Sequence, residues 1–65
     1  MPEGNSSGEE NANLYMRGVN EGRAREPLDD MQVLEILEFF GIDGLRSYIL
    51  GHMEGFSDAI EDEAE

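Results

Sequence analysis

One histidine, four serines and no cysteine bound the covalent chemistry open to this chain. A nucleophilic enzyme needs a nucleophile, a base within hydrogen-bond reach and a third group that orients the base. His52, Ser57 and Asp58 are neighbours in sequence. Spacings of five and six residues, however, send them to different faces of a helix. Two of the four serines, Ser6 and Ser7, fall in a polar opening stretch. A single His without Cys offers no standard zinc spacing, and Gly41-Ile42-Asp43-Gly44 lacks the alternating oxygen ligands of a calcium loop. The sequence therefore predicts no enzyme, no cofactor and no metal centre, with His52 an ordinary partly buried or surface residue.

The carboxylates remain. The 65 residues hold 16 acids and 4 basic residues, all Arg, for a formal net charge of −12. Ten of those net negative charges fall after residue 26, where Arg46 is the only cation. Such a surface repels nucleic acid and anionic membranes, which are bound by exchanging counterions for Lys and Arg. It attracts basic surfaces instead. On a continuous helix Glu54, Asp58, Asp62 and Glu65 fall along one face, about 4.5–6 Å apart. Glu61 joins that side, and Glu35 and Glu38 make a second short row. A row of this kind has spacings comparable to those of nucleic-acid phosphates. These seven acids are the candidate partner-binding residues. They predict a non-enzymatic inhibitor that occupies the Lys/Arg-lined groove of a nucleic-acid-binding protein and excludes its DNA or RNA. Solubility, or adaptation to a salty cytoplasm, is the plainer explanation of the same charge.

What positions these acids is an all-α fold, a compact three-helix domain made of a helical hairpin plus a packing helix. Residues 1–7 form a disordered start, 8–57 the helical domain, and 58–65 an acidic helix end or tail. The first helix is expected over 8–25, with Ser7 and Glu10 as a capping box. Glu26-Pro27 ends it. The second, over 29–40, has Asp29 as cap, Gln32 three residues on, and Leu28 and Val33 as a hydrophobic staple. Its body is apolar except for a narrow stripe at Gln32, Glu35 and Glu38, the pattern of a helix buried on most sides. Gly41 is a candidate left-handed terminator. Asp43 would cap a third helix over 43–57 or beyond, weakened by Gly51 and Gly55, with Ser57 starting a separate turn. The expected core is Leu14, Val19, Leu28, Val33, Leu34, Ile36, Leu37, Phe40, Ile42, Leu45, Tyr48, Ile49 and Phe56.

A chain this short, without disulfides or a metal, needs dense helix packing or a second copy. Homodimerisation is expected, with Met31, Leu34, Phe39 and Met53 left over for a twofold mate. An internal echo supports close helix approach: residues 15–22 and 48–55 share Tyr-x-x-Gly-x-x-Glu-Gly. Small residues four apart let two helix backbones come near. No signal peptide or membrane span is apparent, so a cytoplasmic protein is expected. The Gly-bearing turn after residue 40 suggests helix-turn-helix geometry, but Arg46 alone against six acids from Glu54 onward opposes DNA binding.

In size and sign of charge the chain resembles the small inhibitors that bacteriophages and other mobile elements make against host nucleases, anti-CRISPR proteins among them. The resemblance covers composition, not a motif. It implies a host-cytoplasmic target such as a CRISPR effector with a basic nucleic-acid channel. The competing expectation is a small helical dimerisation or adaptor protein whose acidic tail serves solubility.

Overall fold

Two acids, Glu9 and Glu10, stand in the first turn of α1 (Gly8–Arg23), and Arg23 stands in its last. Both placements oppose the partial charges of the helix ends. The computed structural model describes residues 8–64, so the expected disordered segment 1–7, with the Ser7 cap, lies outside the described residues. α1 closes with a Schellman motif. Arg25 donates its amide to the Gly22 carbonyl at 2.9 Å, and Glu26 donates to Glu21 at 3.0 Å. The motif requires a left-handed residue, and Arg25 supplies it with φ 62°. A side chain in that conformation costs roughly 1–2 kcal/mol. The Arg25 guanidinium also donates to the Ala59 carbonyl at 3.2 Å, holding the end of α1 against the last turns of the next helix.

α2 spans Asp30–Ala64. Asp29 caps it: its carboxylate accepts from the Met31 amide at 3.3 Å, and its carbonyl accepts from Val33 at 2.8 Å. Gln32, expected to complete that cap, donates instead across to the Glu21 carboxylate of α1 at 3.2 Å. The three-helix count requires correction. The described residues form two helices and no strand, because no loop separates the expected second and third helices. Only Gly41 departs from helical geometry, with φ 79° and ψ −174°, a conformation essentially confined to glycine. Ile42, Asp43 and Gly44 are already helical, so Asp43 does not begin a separate helix after a turn. Ser57 starts no new turn either, since the helix runs on to Ala64 with no basic residue in its last turn.

The Gly41 kink reverses the chain. Residues 30–40 run antiparallel to α1, with Gln32 beside Glu21 and Phe40 sharing a concavity with Leu14. Residues 42–64 run parallel to α1, Gly18 lying against Tyr48 and His52 and Gly22 against His52 and Phe56. Leu14, Ile36 and Tyr48 form the buried core, and Phe40, Leu45 and Ile49 pack partly on it. Val19 and Val33 are half-buried. Five expected core residues are exposed: Leu28, Leu34, Leu37, Ile42 and Phe56. The reason is number. Two short helical neighbours cover only one side of each half of α2, so its remaining apolar surface faces outward.

Candidate interaction surface

The two Tyr-x-x-Gly-x-x-Glu-Gly segments are packed on each other. A Cβ on Gly18 would overlap the Tyr48 carbonyl oxygen and lie 2.7 Å from the His52 amide nitrogen. One on Gly51 would overlap the Tyr15 carbonyl oxygen and lie 2.9 Å from its carbonyl carbon. Gly22 meets His52 and Phe56 in the same way that Gly55 meets Val19. The contacts are reciprocal, which is the signature of a local twofold axis between two parallel helices. Backbones this close leave no room for any side chain but hydrogen.

The reciprocity extends to the polar groups. Tyr48 donates its hydroxyl to the Glu21 carboxylate, and Tyr15 is hydrogen-bonded to Glu54. Glu21 also accepts from Gln32 and from Arg17, the latter at 3.5 Å. Partial burial works to raise the Glu21 pKa, but the hydrogen bonds from Tyr48, Gln32 and Arg17 outweigh it and hold the carboxyl below its ordinary value. Burial first, then the neighbouring Glu21 carboxylate, push the Tyr48 hydroxyl well above its ordinary value. Desolvation and Glu54 raise Tyr15 likewise. His52 is buried and contacts the Glu26 carbonyl through Nε2. Its ring stacks on Phe56 at a centroid distance of 6.2 Å. These contacts tie the α1–α2 connection to the second half of α2. They are structural bonds inside the fold, and Glu21 is their hub.

Outward from that frame lies a broad apolar surface. Ile42, Ile49 and Phe56 recur every seven residues along α2, and Arg46, Met53 and Ile60 form the adjacent row. That is the spacing of a helix seam. Ile42, Leu45, Arg46, Ile49 and Leu50 line one concavity of this face. A larger one, of about 680 Å³, is lined by Pro27, Leu28, His52, Met53, Phe56, Ile60 and Glu61 among others. The four residues expected to mediate self-association are all on the surface, at 66% exposure for Met31, 58% for Leu34, 76% for Phe39 and 61% for Met53. Met53 belongs to the α2 seam. Phe39 belongs to residues 30–40, outside that seam, and α1 leaves it uncovered.

The candidate acids fall into separate sets. Glu54, Asp58, Glu61 and Asp62 are exposed on the second half of α2. Within that set Glu54 binds Tyr15, and Asp58 lies 3.6 Å from the Arg23 guanidinium, so α1 engages both. Glu35 and Glu38 are exposed on the antiparallel first half. Glu65 lies outside the described residues. Among the described residues no group of three or more His, Cys, Asp or Glu is placed to hold a metal ion, and no helix is long and apolar enough to cross a membrane. Sequence reading did not single out Glu21, although the repeated Tyr and Glu of the echo carried the signal. Compared with protein families, with curated proteins and with solved structures, the chain matches none of them.

Proposed function

We propose that this chain is a non-enzymatic interaction module that self-associates through the apolar side of α2. One observation carries this reading: large apolar side chains in number, among them Met31, Leu34, Phe39, Ile42 and Met53, are more than half exposed on a 65-residue chain. Monomers rarely leave contiguous apolar patches beyond a few hundred Å² uncovered. Burying a fully exposed Leu, Ile, Met or Phe contributes roughly 1.5–3 kcal/mol, so a few such residues suffice to hold a dimer. The polar interior supplies the rigid frame, and the acids keep the assembly soluble. Light scattering at high micromolar concentration tests this. A dimer mass that reverts to monomer in Met53→Glu is expected, and a wild-type monomer overturns the proposal. The site is exposed, so the substitution does not threaten the fold.

A second reading keeps the acids at the centre: an inhibitor that mimics DNA or RNA and blocks the basic groove of a nucleic-acid-binding protein in the cytoplasm, in the manner of phage-encoded anti-CRISPR proteins. Glu61 and Asp62, exposed on a helix that continues to Ala64, favour it, as does the charge concentrated after residue 26. Here Glu35, Glu38, Glu54, Asp58, Glu61, Asp62 and Glu65 meet Lys and Arg of the partner, and no nucleic acid or membrane is bound directly. Single exposed pairs contribute about 0–1 kcal/mol, so many must act together. The test is capture of a basic partner at low salt, its loss at high salt, and competition with nucleic acid for the same groove. A partner that binds both at once rules the mimic out.

A further inference from the structure

The apolar seam of α2 is charged at its two ends with opposite sign. Arg46, the only cation after residue 26, lines the concavity nearest the kink. Glu61 and Glu26 line the concavity at the far end together with Arg25, whose guanidinium donates to the Ala59 carbonyl, so that end carries a net negative charge. Fifteen residues of helix, about 22 Å, separate them. Met53, 61% exposed, lies midway on the same face. A second copy laid antiparallel presents the reverse order, acid opposite base and base opposite acid. Such an arrangement is isologous, as a twofold dimer must be. We propose that two copies pair antiparallel along residues 42–61, with Met53 on the twofold axis, Ile49 beside the partner's Phe56, and Arg46 of each copy against Glu61 of the other. This rests on the self-association proposed above and adds its orientation and register.

Parallel pairing sets Arg46 beside Arg46 and Glu61 beside Glu61, so the charges select the antiparallel form. They also oppose a neutral or acidic foreign helix that lacks the reversed order. The net charge of −12 per copy makes the approach of two copies repulsive overall, which places the few attractive pairs at a premium in fixing orientation.

Two measurements on the full chain test the pairing. The first is a charge exchange read by sedimentation equilibrium. Arg46→Glu and Glu61→Arg each weaken the dimer about fivefold, as expected for an exposed pair turned repulsive, and the double variant returns to wild-type affinity. The second is cross-linking, made clean by the absence of native cysteine. With a mild added oxidant such as diamide to accept the two electrons, Met53→Cys, on the axis, forms an intermolecular disulfide, whereas Ile60→Cys, with its mate about 20 Å away along the helix, does not. Equal cross-linking at both positions, or losses that add in the double variant, overturn the antiparallel register while leaving self-association standing. A wild-type monomer overturns both.

Discussion

The hydroxyl of Tyr48, a side chain with no exposed surface, donates to the Glu21 carboxylate across the contact between the two helices. The partnership makes folding sensitive to pH at both extremes. Glu21 titrates below its ordinary value in the folded chain, so its contribution is present above the ordinary carboxylate range and disappears as the pH falls through the lowered folded value. Tyr48 titrates above its ordinary value. Its contribution is complete below about pH 10 and declines as the pH rises beyond that toward the raised folded value. Thermal melts across pH are expected to show both limbs. Tyr48→Phe flattens the alkaline one, leaving the part due to Tyr15, and costs about 1–2 kcal/mol near neutrality. An unchanged alkaline limb in that variant contradicts the assignment.

Gly18→Ala and Gly51→Ala separate the two roles a helical glycine can have. By propensity alone each gains about 1 kcal/mol. The added methyl, however, meets backbone atoms of the opposing helix, which cannot rotate away as a side chain can. Overpacking of this kind costs about 1–3 kcal/mol, and here the fixed backbone puts it at the upper end. Both variants are expected to lower the urea midpoint. Gly8→Ala, where the methyl meets nothing within 4 Å, is the control and leaves the midpoint unchanged or higher.

Gly41 is the reversal point, and its requirement is conformational, since a Cβ there meets nothing within 4 Å. Gly41→Ala is expected to cost about 1–3 kcal/mol. Replacing Gly41 with D-alanine, which favours positive φ, restores most of that loss. Equal melting temperatures for the wild type and the L-alanine variant contradict this origin of the kink.

Much of the frame was legible in the chain itself. Asp29 is a short polar residue ahead of an apolar run, and it caps α2. Gly41 interrupts that run, and it is where the helix turns back. Pro27 marks the connection that follows the Schellman motif. Two features escaped for physical reasons. The absence of a loop after Gly41 was hidden because Asp43 and Gly44 have turn composition, while a single glycine conformation accomplishes the reversal unaided. The exposure of Leu28, Leu34, Leu37, Ile42 and Phe56 was hidden because periodicity says which residues share a face, not whether another element covers it. The Tyr-Gly-Glu echo showed self-complementary spacing, but only the fold reveals that its two copies meet each other within one chain.

The most direct test of the proposed interaction module is the salt dependence of its self-association, measured by sedimentation equilibrium from low to high ionic strength. Apolar surfaces joined between two chains of like charge associate more tightly as salt screens their repulsion. The expected result is a dimer whose affinity rises with salt and which Met53→Glu abolishes without loss of helix content. A chain that stays monomeric at every salt concentration, up to high micromolar protein, contradicts self-association through α2.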